Sequence, residues 1–166
     1  TLYGSSKTYS FIVPYRDFTS TDSPNYRKLH DLRHDVDYTL SSTTNVYICG
    51  AIIMVNGSAY IAKANNGNLI PINGSVCALY DLDSRKTVYL IKNGLNIVYN
   101  CVDEYGNSVG LPVNYTMHGA STDIILLTYT RIYYKYNGSV YSVSFNTTDG
   151  TTSETTESGM GSLYPT

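Results

Sequence analysis

The chain has 166 residues, a formal net charge of −2, 42% hydrophobic residues and only 14% charged ones. That hydrophobic share suits one globular domain with a real core and excludes a disordered chain. The near-neutral charge, without a basic cluster, argues against nucleic acid as a partner, and no apolar run reaches the roughly 18 residues of a membrane-spanning helix, so membrane insertion is not expected.

In chain order, runs rich in Val, Ile, Tyr and Thr predict strands near residues 8–13, 36–40, 45–55, 58–64, 76–82, 86–92, 95–103, 111–117, 123–136 and 139–145, since these residues fit a pleated, half-buried surface. The one candidate helix covers "NYRKLHDLRHDVD", residues 25–37, and its apolar spacing is poor. Asn-Gly falls at Asn56-Gly57, Asn66-Gly67, Asn73-Gly74, Asn93-Gly94 and Asn137-Gly138. Asn-Gly tolerates the positive φ angles of a type I′ turn, so repeated hairpins are expected. The predicted fold class is all-β, an antiparallel β-sandwich. The expected organisation is one sandwich domain over residues 1–148, opened by an N-terminal arm at 1–28. The low-complexity segment "DGTTSETTESGMGS" leads into a tail at 149–166. No internal repeat is evident.

Several features bear on chemistry. Cys49, Cys77 and Cys101 are odd in number and widely spaced, which reads as buried free thiols rather than a disulfide framework or a zinc site. His30 and His34 lie four apart, each followed by Asp; on a helix they would share a face, but no third ligand stands nearby, so a solvated charged loop is expected and no metal or other cofactor. Asp81, Asp83, Asp103 and Glu104 fall at strand ends, where carboxylates serve turns, and none stands alone in an apolar run where its pKa would be raised for acid–base work. No nucleophile elbow, phosphate loop or dinucleotide fingerprint occurs. The expectation is a protein that is not an enzyme.

Five sequons, at Asn56, Asn73, Asn114, Asn137 and Asn146, carry Ser or Thr two residues on. They fit a heavily glycosylated secreted protein, or equally Asn-Gly turns followed by Ser in a Ser-rich chain. Tyrosine is the strongest compositional signal, 18 residues against three Phe and no Trp. Its ring gives apolar contact area at small entropic cost, and its hydroxyl donates or accepts a hydrogen bond, which suits the mixed C–H and O–H surface of a sugar. Most tyrosines are expected to be ordinary strand residues. Tyr134 and Tyr136, beside Lys135 and a hairpin turn, are the ones expected to face a ligand.

Two segments, "TLYGSSKTYSFIVPYRDF" at 1–18 and "KYNGSVYSVSFNTTDGTTSE" at 135–154, resemble the glycan-binding head fragment (VP8) of the rotavirus outer-capsid spike protein VP4. The resemblance covers about a quarter of the chain. It implies a galectin-like sandwich on the virion surface that binds host cell-surface glycans in attachment and joins the remainder of the spike protein. The implied carbohydrate-binding residues are Lys135, Tyr136, Asn137, Gly138 and Ser139, with Ser58 and Tyr60 matching a strand position of the family. Tyr141 and Phe18 stand where the family favours Trp, which implies a distant, non-group-A-like member. Ser58 stands where sialic-acid-binding members place Arg; a hydroxyl supplies neither charge nor bidentate fork, so a neutral glycan, such as a histo-blood-group type, is expected over a sialylated one. The alternative is an extracellular pilus or fibre subunit with a glycosylated surface and strand exchange.

Overall fold

The structure, a computed structural model, describes residues 11–82, 85–119 and 123–157. All regular structure within them is antiparallel β, in fifteen strands that form four sheets. The first sheet holds β1 (Ile12–Pro14), β2 (Lys28–Asp31) and β3 (Val36–Thr39). The second holds β4 (Val46–Cys49), β5 (Ile52–Val55), β6 (Ser58–Lys63) and β7 (Asn68–Pro71). The third holds β8 (Ser75–Leu82), β9 (Lys86–Asn93), β10 (Asn96–Asp103) and β11 (Val113–Thr116). The fourth holds β12 (Asp123–Thr128), β13 (Arg131–Tyr136), β14 (Ser139–Asn146) and β15 (Thr151–Glu157). Each sheet is a plain meander, its strands in chain order.

The expected antiparallel β-sandwich is therefore what forms, in four layers rather than two. Three apolar interfaces hold them. Ile12, Leu29, Tyr38 and Leu40 of the first layer pack on Ile53, Val55 and Ala62 of the second. Ile52, Met54 and Ala59 on its opposite face meet Val76, Leu79, Tyr89 and Val102 of the third. Val88, Leu90, Ile97 and Tyr99 of the third meet Leu127, Ile132, Tyr134, Val143 and Phe145 of the fourth. The two inner sheets are covered on both faces, which is why β5 reads "IIMV" with all four residues buried rather than alternating. Equivalent strands stack on one another: β8 lies against β4 and β12, and β11 against β15.

Two expectations are corrected. Residues 25–37 form no helix; they are β2, a turn and the start of β3, with His30 paired to Asp37 across the hairpin. Leu29, Asp31 and Tyr38 are buried while His30 and Lys28 face outward, a period of two that outweighs the weak helical spacing. The segment read as a low-complexity tail contributes β15 as the edge of the fourth sheet, paired with β14 from Asn146↔Thr151 to Val140↔Glu157. Its β-branched threonines suit a strand whose backbone bonds are completed by a neighbour. The expected N-terminal arm at 1–28 contains β1, the edge strand of the first sheet, and ends at Lys28, the first residue of β2. Residues 1–10 and 158–166, with the opening of the first resembling segment, lie outside the described residues.

Candidate functional site

The β13–β14 hairpin closes on the two residues Asn137 and Gly138, at φ 53° and 80°, the signature of a type I′ turn. Asn137 and Gly138 are exposed, and nothing lies within 4 Å of the position a Cβ would take on Gly138. Below the turn Tyr136 pairs with Ser139 and Lys135 with Val140. Val140 and Tyr134 are fully buried, so the hairpin is anchored by its own sheet while its tip projects. Tyr136 is half-buried against the core between the third and fourth layers, and its ring abuts Gly119 so closely that a Cβ there would force the ring to shift.

Lower on the same hairpin, at the level of the Tyr134–Tyr141 pair, is a polar and aromatic cluster. Glu154 on β15 accepts a short hydrogen bond from the Tyr115 hydroxyl, and its Oε1 lies 2.8 Å from His118 Nε2. The Tyr115 and Tyr134 hydroxyls are 2.6 Å apart, and the His118 backbone N–H donates to Tyr134 Oη at 3.3 Å. The His118 ring stacks on Tyr141 at 4.4 Å, and Tyr141 on Tyr134 at 5.2 Å. Burial, then the hydrogen bond to the Glu154 carboxylate, pushes the Tyr115 hydroxyl far above its ordinary range, so it remains a donor. The His118 and Glu154 side chains are 43% and 33% exposed, so solvent reaches both.

The remaining sequence-predicted residues lie elsewhere. Ser58 is exposed just after the turn of the β5–β6 hairpin, and Tyr60 packs against the core between the first and second layers. Both belong to the second sheet, and the whole third sheet separates them from the Lys135–Ser139 hairpin. Lys135, Tyr136, Asn137, Gly138 and Ser139 form the end of one hairpin, while the cluster gathers lower on it around Tyr134 and Tyr141, on the face Lys135 alternates away from; neither Ser58 nor Tyr60 is brought to either. Tyr134, expected to face a ligand, is instead a wholly buried core residue that offers its hydroxyl to the cluster. Glu154 was hidden in a segment that composition alone made a tail; the four β-branched threonines of "TTSETTE" were the available signal.

The candidate metal and acid sites resolve into structure. His34 Nδ1 lies 2.8 Å from Asp31 Oδ2 and Nε2 3.2 Å from Glu104 Oε1. Arg33 and Arg85 also reach Glu104. Asp103 accepts the Tyr105 and Asn107 backbone N–H groups and so shapes a turn. Asp83 lies outside the described residues, among which no cluster of three or more His, Cys, Asp or Glu is arranged to hold a metal. Cys49 and Cys101 are buried free thiols as expected, and Cys77 is a half-buried one.

Fold and cluster together define a class: an all-β, four-layer antiparallel sandwich with a tyrosine-walled hairpin tip at one end. Comparison with protein-family models, with curated proteins and with solved structures finds no match to this chain.

Proposed function

We propose that the chain is a non-catalytic glycan-binding attachment module displayed at a surface outside the cytosol. The observation that carries the reading is a single hairpin that ends in the exposed Asn137-Gly138 turn and, lower down, stacks Tyr141 on the accessible His118, itself paired with Glu154. A carboxylate accepts hydrogen bonds from sugar hydroxyls, an imidazole and Lys135 donate, and tyrosine faces take the apolar C–H side of a ring. Rigid packing beneath the tip lowers the ordering cost of binding. Residues 135–154 supply part of the resemblance to rotavirus spike heads and two members of this cluster, Tyr141 and Glu154. The galectin-like variant of the sandwich and the virion setting come from that resemblance alone.

A glycan array probed with the full chain tests the proposal. Binding to neutral glycans is expected, and it is lost in Lys135→Ala and Tyr136→Ala variants that retain the wild-type circular dichroism spectrum. Unchanged binding in both variants overturns the assignment of the tip, and absence of binding to any glycan overturns the reading.

A further inference from the structure

Both sequon-rich hairpin apices and one interlayer connection sit at a single end of the stack. The Met117 backbone N–H donates to Leu95 O at 2.8 Å, and Gly119 abuts Tyr136, so the β9–β10 and β13–β14 apices flank the same segment. The Ile72 N–H donates to Ala59 O at 2.9 Å, and a Cβ on Gly74 would lie 2.6 Å from Ile91, which brings the β5–β6 apex to that end too. The other turns gather at the opposite end, where Leu111 N–H donates to Thr147 O at 2.7 Å and Ala64 N–H to Tyr105 O at 3.1 Å.

All five sequon asparagines are exposed, but they are not equally presented. Transfer of an oligosaccharide to a sequon needs the amide and the hydroxyl two residues on to be reached together. Asn56, Gly57 and Ser58 are all exposed, as are Asn73, Gly74 and Ser75. Gly57 has open space around it, and the Asn56 turn has φ 52° and 87°. Asn114 and Thr116 are exposed too, but both lie within β11, where the chain is held extended against Val98 and Asn96 of β10. Ser139 is half-buried. Asn146 Oδ1 already accepts the Thr148 and Asp149 backbone N–H groups at 2.9 Å and 3.4 Å.

We infer that Asn56 and Asn73 are N-glycosylation sites, and that Ser58 serves as a sequon hydroxyl rather than a contact of the tip. The side-chain nitrogen of each Asn forms a bond to C1 of an oligosaccharide carried on a polyprenyl diphosphate, the C1–O bond to the diphosphate breaks, the lipid diphosphate leaves with the bonding pair, and the amide loses one proton to solvent or base. Asn56 closes a hairpin of the second layer and Asn73 lies on the connection from the second to the third.

The test is expression of the full chain through a eukaryotic secretory pathway, followed by intact mass and glycopeptide analysis before and after amidase release. Expected are glycans at Asn56 and Asn73, with one glycan lost in Ser58→Ala and one in Ser75→Ala. These variants keep both Asn-Gly turns, and circular dichroism and secretion yield report that they fold. An unmodified chain overturns the inference, as does occupancy confined to Asn114, Asn137 and Asn146 or spread evenly over all five. Glycan binding by the tip is measured separately on unglycosylated protein, so that failure of one reading leaves the other standing.

Discussion

His34 Nε2 lies 3.2 Å from Glu104 Oε1, joining residues seventy apart in sequence and tying the β2–β3 turn of the first sheet to the end of β10 in the third. Asp31, fully buried, holds the other ring nitrogen and also accepts the Arg33 and His34 backbone N–H groups. The clasp spans the second layer, so it braces the stack where no sheet-to-sheet face contact does.

Stability should therefore depend on pH through His34 and Glu104. Burial disfavours the imidazolium, but the hydrogen bonds and charges of Asp31 and Glu104 outweigh it, and the His34 pKa is raised above its ordinary 6.5. A raised pKa stabilises fully below about 6.5 and the contribution is lost as pH rises through the folded value. Burial raises the Glu104 pKa, but His34, Arg85 and Arg33 outweigh it, and the net value falls below 4.5. That contribution is present above about 4.5 and lost as pH falls through the folded value. The contribution of the clasp is thus greatest between about pH 4.5 and 6.5. His34→Ala should cost roughly 1.5–3 kcal/mol near pH 6, and less near pH 9, in chemical denaturation. A penalty independent of pH would show that the clasp acts by packing alone.

The interface between the third and fourth layers should show a graded response at Tyr134. Phenylalanine keeps the ring but leaves the His118 N–H without its acceptor at 3.3 Å, a loss of about 0.5–1.5 kcal/mol. Alanine empties a fully buried site and should cost roughly 3–5 kcal/mol. Equal losses in denaturant midpoint would contradict this ordering.

Gly50→Ala and Gly138→Ala should differ although both positions have positive φ, at 56° and 80°. At Gly138 the added methyl meets open space, so only backbone strain of about 1 kcal/mol is expected. At Gly50 it runs into Thr87 Oγ1, which accepts the Ala51 N–H at 3.2 Å, so the strain adds to a broken contact between second and third layers. Thermal unfolding of the two variants should place Gly50→Ala clearly lower.

The thiols should be inert in the folded protein. Burial pushes the Cys101 and Cys77 thiols up, and Cys49 is buried beside the second core. Titration with a disulfide reagent at pH 8 should give slow labelling, confined at first to half-buried Cys77, and rapid labelling of all three in denaturant. Fast native labelling of Cys101 would contradict its burial.

The sequence by itself determined strand content and two of the turns. Val, Ile, Tyr and Thr at a period of two dictate pleated strands, and Asn56-Gly57 and Asn137-Gly138 close two-residue hairpins because both residues accept positive φ. The same dipeptide did other work elsewhere: Asn93 stays in β9 while Gly94-Leu95 makes the turn, and Asn73-Gly74 carries the chain from the second sheet to the third. The continuous apolar run at 45–55 splits at Gly50 into β4 and β5, and that at 123–136 at Tyr129-Thr130 into β12 and β13, because local composition does not record where a strand must reverse. The tip residues Lys135–Ser139 were legible as a local hairpin. The cluster lower on that hairpin was not, since Glu154, His118 and Tyr115 meet one another and Tyr134 only when β11 and β15 stack in neighbouring layers. Layering is decided by which apolar faces cover one another, a property of tertiary packing that period-two alternation leaves open. It is also why Ser58, near Tyr60 in sequence, ends a full sheet away from the hairpin it was expected to join.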